Sequence, residues 1–214
     1  MNKIYITGCA RSGTTLLARL MSSFDGVAIV KDECSIDQFI DYADKIHYPD
    51  GAILIGKRTE FSIFSQVLSD EEIIRQTELI VDNDICVINC VRDGRHVVDA
   101  WQKAWGVYNP FAWMSAIKQS LSSEVIDLSV NYEEIMIAPD KVQERIMEEF
   151  NLDAINSFSA YPNFVAGGLF NSDDERYKPR PIEGDIPPPP DTYLKRPNDI
   201  EYFNELLQKL GYEK

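Results

Sequence analysis

The stretch Gly8-Cys9-Ala10-Arg11-Ser12-Gly13-Thr14-Thr15 decides the fold of this chain, because it joins two apolar segments of different period. Residues 3–7 before it are short, apolar and β-branched, as in a buried strand. After it, apolar residues recur at the spacing of one helix face: Leu16, Leu17, Leu20, Met21 and Phe24. A glycine loop between strand and helix presents backbone N–H groups and the helix dipole to an oxyanion. The stretch therefore predicts a phosphate-binding loop.

Four more continuous apolar runs predict strands, at residues 27–30, 52–55, 85–91 and 125–130. Such runs are typical of a parallel sheet that is covered on both faces. Helical patterns separate most of them, and the clearest are the stripe from Val97 to Trp105, a start at Pro139, and a last helix closed by Gly211. This alternation predicts an α/β fold with a doubly wound, mainly parallel sheet.

The alternation stops between residues 159 and 197, where two glycines, an acidic cluster and four consecutive prolines follow one another. Long segments of this kind inside compact domains are usually lids or binding loops. We expect a single domain over residues 1–214, with residues 159–197 as a proline-rich loop or lid.

Composition limits the classes of partner. The net charge of −14 opposes broad binding to nucleic acids or anionic membranes, which need clustered Lys and Arg. No run approaches the roughly 20 apolar residues of a membrane span, so we expect a cytoplasmic protein. The four cysteines form no CxxC pair, and no histidine completes a zinc site with them, which predicts reduced thiols and no metal.

The glycine spacing of the loop fits the nucleoside-triphosphate pattern G-x-x-x-x-G-K-[ST], but Thr14 stands at the lysine position. Arg11-Ser12-Gly13-Thr14-Thr15 instead resembles the 5′-phosphosulfate loop of sulfotransferases, in which a basic residue and Ser-Gly-Thr-Thr precede a helix. The resemblance implies 3′-phosphoadenosine-5′-phosphosulfate as cosubstrate, with its 5′-phosphate on the loop and Arg11 beside the sulfuryl group. The alternative is a tight turn on which Arg11 is a solvated surface charge.

A second segment, Val91-Arg92-Asp93-Gly94-Arg95, resembles the family's Arg-Asp-Pro-Arg-Asp-Val stretch. The resemblance implies that Arg92 binds the 3′-phosphate, a task that suits the planar guanidinium fork. Gly94 replaces the family's proline, and Ala100 stands where a serine usually donates to the same phosphate. A structural ion pair of Arg92 with a carboxylate is the alternative.

Two candidates for the chemistry follow other predicted strands. Lys57 resembles the lysine that approaches the transferred group in bacterial sulfotransferases, although an exposed strand-end lysine is the alternative. Glu33 resembles a glutamate that serves as base in carbohydrate and tyrosine sulfotransferases, and burial would make it a stronger one. His47 and His96 are competing bases, which we expect at the surface.

Three weaker matches complete the resemblance. Arg180 is the preferred candidate of a basic cluster with Arg176 and Lys178 that would close over the nucleotide. Asn131-Tyr132-Glu133-Glu134 and the closing Leu-Gly-Tyr-Glu resemble family segments that support the fold. The predicted function is sulfuryl transfer to a hydroxyl or amine; a non-catalytic nucleotide-binding module and a small-molecule P-loop kinase are the alternatives. Neither the acceptor nor the oligomeric state is specified by the sequence.

Overall fold

The computed structural model describes residues 2–45, 47–58, 69–161, 163, 182 and 197–212. Most of the predicted loop at 159–197 lies outside these residues, and so does its candidate ligand Arg180 with Arg176 and Lys178. Within the described part of the chain, no helix is long and apolar enough to cross a membrane.

Five parallel strands form one sheet in the described residues, in the order β2-β3-β1-β4-β5. The strands are β1 Asn2–Thr7, β2 Val27–Asp32, β3 Ile53–Lys57, β4 Ile85–Val91 and β5 Leu128–Asn131. β1 is central, with Ile6 opposite Lys57 of β3 and Thr7 opposite Asn89 of β4. The predicted parallel sheet is confirmed.

Helices cover both faces of the sheet. The α-helices of the described residues are α1 Thr14–Leu20, α2 Ile36–Lys45, α3 Asp70–Asp82, α4 Gly94–Trp105, α5 Pro110–Leu121, α6 Tyr132–Ile137, α7 Pro139–Phe150 and α8 Pro197–Lys209. Because side chains alternate along a strand, Ile4 and Ile6 pack with α1, α6 and α7, whereas Tyr5 packs with α2 and α3 on the opposite face. α4, α5 and α8 share a third cluster around Trp113 and Phe203. The doubly wound α/β fold is confirmed, including the predicted start of α7 at Pro139.

The predicted start of the fifth strand is wrong, since β5 begins at Leu128 and not at residue 125. Asp127 explains the late start. Its backbone N–H donates to the Val87 carbonyl at 3.1 Å, while its carboxylate accepts the Val87 N–H at 2.6 Å. The side chain of Asp127 thus takes the place of a ladder partner, and Val125 and Ile126 pack against the core without extending the strand.

All five strands end at the same edge of the sheet, because all are parallel. The loop that begins at Gly8 follows β1, Glu33 follows β2, and Lys57 is the last residue of β3. Arg92 follows β4 and Tyr132 follows β5. Ligands of open α/β sheets bind at this carboxyl edge, so the fold brings the sequence candidates to the expected place.

Candidate functional site

In the loop between β1 and α1, four consecutive carbonyl groups accept hydrogen bonds from protein donors, one of them within the loop itself. The carbonyls of residues 9–12 accept hydrogen bonds, in chain order, from Ser12 N at 3.0 Å, Trp101 Nε1 at 2.8 Å, Arg92 Nη1 at 3.0 Å and Cys90 Sγ at 3.0 Å. In a trans peptide the next N–H points the opposite way. The N–H groups of Ala10, Arg11 and Gly13 therefore point away from these partners, and α1, whose first N–H groups have no partner within the helix, begins at Thr14.

The Cys90 thiol donates one of these hydrogen bonds, and it can do so only while it is protonated. Burial raises the pKa of Cys90 to about 12, and the Glu133 carboxylate acts in the same direction. The sulfur therefore stays protonated at neutral pH and continues to donate to the Ser12 carbonyl.

Two glycines are required for the shape of the loop. Gly8 has φ +149°, and a Cβ there would lie 2.3 Å from the Cys90 carbonyl oxygen. Gly13 has φ +96° and caps α1, and its Cβ would lie 2.4 Å from the Tyr132 ring. Both positions combine a left-handed backbone with a close approach, which only glycine accepts.

The Ser12 side chain is a buried polar group within the loop. It is fully buried, yet its Oγ has no hydrogen-bond partner in the described residues. A buried hydroxyl without a partner costs about 1–3 kcal/mol. A buried polar atom without a partner, in a loop between a strand and a helix N-terminus, is a reason to look for a ligand there.

Arg11 and Glu33 each have a backbone conformation that non-glycine residues rarely adopt. Arg11 has φ +73° and Glu33 φ +54°, and they are two of the four non-glycine residues with positive φ in the described chain. The Arg11 side chain is exposed, with its guanidinium carbon 5.9 Å from the centre of the Trp105 ring. Residues held in such backbone regions cluster at functional sites.

Arg92 connects the loop to the fifth strand. Its Nη1 donates to the Arg11 carbonyl, its guanidinium lies 4.1 Å from the centre of the Tyr132 ring, and its buried Nε has no partner in the described residues. The alternative of a structural ion pair is wrong within that part of the chain, because Asp93 pairs with Arg95 instead, at 2.6 Å. Tyr132, which packs between Arg92 and Gly13, is a site residue that the sequence marked only as a fold element.

Glu33 and Lys57, identified separately in the sequence, form an ion pair across the ends of β2 and β3. Lys57 is 2% exposed, so the alternative of an exposed strand-end lysine is wrong. The expectation of a buried Glu33 is also wrong, since 45% of its side chain is exposed. The Cys34 N–H donates to the Lys57 carbonyl at 3.0 Å and holds the two strand ends together. A half-exposed carboxylate is thus fixed by a buried cation.

The two histidines differ from each other. His47 is exposed, as expected, whereas His96 is buried in the first turn of α4. Burial lowers the pKa of His96, and the Arg92 cation lowers it further. The expectation that His96 lies at the surface is therefore wrong.

The two departures from the family pattern lie on α4. A Cβ on Gly94 would come within 2.7 Å of the Trp113 ring and 2.8 Å of the Phe203 ring, so this chain has no room for the proline. Ala100 is half-buried on the same helix and offers no hydroxyl.

The sequence matches no protein-family model and no curated protein. The structure, in contrast, is similar to solved sulfotransferases. The sulfotransferase domain of the Synechococcus PCC 7002 olefin synthase aligns over 100% of this chain and 96% of its own, with a TM-score of 0.70 and 16% identity. That of the curacin biosynthetic pathway aligns over 99% and 98%, with a TM-score of 0.62 and 13% identity. Mouse sulfotransferase SULT7A1, complexed with PAP, aligns over 97% and 83%, also with a TM-score of 0.62 and 13% identity. The chain therefore has the sulfotransferase fold.

Proposed function

We propose that this protein is a sulfotransferase, which moves a sulfuryl group from 3′-phosphoadenosine-5′-phosphosulfate to a hydroxyl or amine of an acceptor. The observation that carries the proposal is the buried Ser12 hydroxyl, which has no hydrogen-bond partner among the described residues and lies in a loop whose carbonyls at residues 9–12 are all occupied by donors of the protein. The fold, shared with sulfotransferases, makes sulfuryl transfer the first chemistry to test.

The hydrogen-bond donors of the loop suit the oxygens of a 5′-phosphate. We assign the N–H groups of the loop and of Thr14 and Thr15, with the Ser12 hydroxyl, to the phosphate oxygens. We assign Arg11 as the cation at the mouth of the loop, where its exposed side chain lies beside the Trp105 ring. Arg92 is assigned to the 3′-phosphate, and Arg180 to the nucleotide from outside the described residues.

The Glu33–Lys57 pair supplies two complementary groups for the transfer. Glu33 accepts the proton that the acceptor oxygen or nitrogen loses as it forms its bond to sulfur. Lys57 stabilises the negative charge on the bridging oxygen, which keeps the electron pair of the breaking sulfur–oxygen bond. Direct in-line displacement needs no metal, and most of the catalysis comes from positioning and electrostatics.

The proposal is tested by thermal stabilisation. The melting temperature is measured alone, with adenosine 3′,5′-bisphosphate, and with ATP and Mg²⁺. Stabilisation by the bisphosphate alone supports the proposal, because a ligand that binds only the native state raises the melting temperature. Stabilisation by ATP with Mg²⁺ alone would indicate the kinase instead. A screen of sugars, phenols and amines with labelled sulfuryl donor then separates an enzyme from a non-catalytic binding module.

A further inference from the structure

The Arg92–Asp93 peptide is held from both sides. The Arg92 carbonyl accepts a hydrogen bond from Trp113 Nε1 at 3.0 Å, and the Asp93 N–H donates to Glu133 Oε1 at 3.1 Å. The two bonds fix the plane of one peptide and with it the direction in which the Arg92 side chain leaves the backbone. Trp113 belongs to α5 and Glu133 to α6, so the plane is set by tertiary contacts.

The second carboxylate oxygen of Glu133 accepts a hydrogen bond from the segment that follows α8. Tyr212, which follows α8, donates its hydroxyl to Glu133 Oε2 at 2.7 Å. Burial raises the pKa of the Tyr212 hydroxyl, and Glu133 raises it further, so the hydroxyl stays a donor at every physiological pH. Glu133 thus bridges Tyr212 and the Asp93 amide.

Asp93 extends this network into α4. It is 4% exposed, caps the helix by accepting the Arg95 N–H at 2.8 Å, and forms an ion pair with the Arg95 guanidinium at 2.6 Å. Two short motifs that the sequence linked only to the fold, around Glu133 and Tyr212, therefore meet behind the arginine that follows β4.

We propose that Tyr212 and Glu133 are positioning residues that orient Arg92 toward the 3′-phosphate, so that the segment after α8 forms part of the nucleotide site. This inference rests on the proposed function, because Arg92 has a phosphate to bind only if the cosubstrate carries one at the 3′ position. The pair acts through the backbone and does not touch the ligand.

The test compares the affinities for adenosine 3′,5′-bisphosphate and 5′-AMP, measured by calorimetry on the full-length chain. Tyr212→Phe should reduce the preference for the bisphosphate about three- to tenfold, the usual effect of one lost hydrogen bond, and leave the affinity for 5′-AMP near its wild-type value. Glu133→Gln should lose less than Glu133→Ala, since the glutamine oxygen can still accept the Asp93 N–H. The matched control is Tyr202→Phe, which alters a tyrosine of the same cluster that makes no side-chain hydrogen bond within the described residues.

Two results would overturn the inference: an unchanged preference in Tyr212→Phe, or an equal loss of affinity for both nucleotides. If the wild type itself shows no preference for the bisphosphate, the assigned cosubstrate is wrong, and amide hydrogen exchange at Asp93 then decides the positioning role. Faster exchange at Asp93 in Tyr212→Phe than in Tyr202→Phe upholds that role, and equal exchange rejects it.

Discussion

The two halves of the candidate site are built in opposite ways. The loop of residues 8–13, which we assign to the nucleotide, is a backbone structure in which every carbonyl from residue 9 to 12 has a protein partner. The Glu33–Lys57 pair, which we assign to the transfer step, consists of two side chains that are 24 residues apart and meet only in the folded sheet. Substitutions in the first half should therefore change binding, and substitutions in the second should change the reaction rate.

The largest effect is expected for Glu33→Gln. If Glu33 removes the acceptor proton, the transfer rate should fall by about 10²–10⁴-fold, with nucleotide affinity unchanged. Glutamine keeps an oxygen to which Lys57 can donate, so the buried lysine is not left without this partner. Single-turnover transfer of labelled sulfuryl groups measures the rate. Asp37→Asn is the control, because Asp37 on the nearby helix α2 is an exposed carboxylate that pairs with Arg75 of α3. Normal turnover in Glu33→Gln would make Glu33 a structural carboxylate.

Arg11→Ala should have the next largest effect, a loss of affinity for the sulfuryl donor. Loss of a charge-assisted hydrogen bond should weaken binding of the sulfuryl donor by about one to two orders of magnitude. The melting temperature of the free protein should hardly move, because the side chain is exposed. Calorimetric titration measures the affinity, and Arg75→Ala is the control for an arginine on the surface. Wild-type affinity in the variant would contradict the assignment of Arg11.

Ser12→Ala should change affinity and stability in opposite directions. The variant removes a buried hydroxyl without a partner in the described residues, so the free protein should be as stable as the wild type or more stable. Nucleotide affinity should fall by about tenfold, which corresponds to 1.4 kcal/mol. Ser23→Ala is the matched control, since Ser23 is equally buried but accepts a hydrogen bond from Gln143 at 3.1 Å. That variant should lose stability and keep its affinity. The reverse pattern would show that Ser12 has a structural role only.

The smallest expected effect is the pH dependence due to His96. Its pKa is lowered in the folded protein, so the unfolded chain binds the proton more readily, and stability falls as the pH drops below about 6.5. The cations Arg92 and Arg95 strengthen this effect, and the carboxylates of Asp93 and Glu133 oppose it. His96→Gln should therefore flatten the loss of stability between about pH 7 and 5, measured by urea unfolding. The exposed His47 provides the control variant, His47→Gln, and an unchanged slope in His96→Gln would contradict the prediction.

The sequence predicted most of the strands and the loop because these features are local. A continuous apolar run such as residues 85–91 predicts a buried strand wherever it lies in the chain. The predicted bounds of this run equal those of β4. The start of β5 was missed because the side chain of Asp127, distant in sequence from Val87, replaces a backbone partner. His96 was misjudged for a similar reason, since burial depends on neighbours that no local pattern reveals.

The glycine loop, the parallel sheet and the candidate residues at the strand ends were all predictable without a structure, because short spacings and apolar periods in the sequence encode them. Only the tertiary structure decided that Lys57 is buried and paired with Glu33, that Tyr132 lies between Gly13 and Arg92, and that Tyr212 binds Glu133. These contacts join residues between 24 and 119 positions apart, and they form only when the strand ends meet at one edge of the sheet.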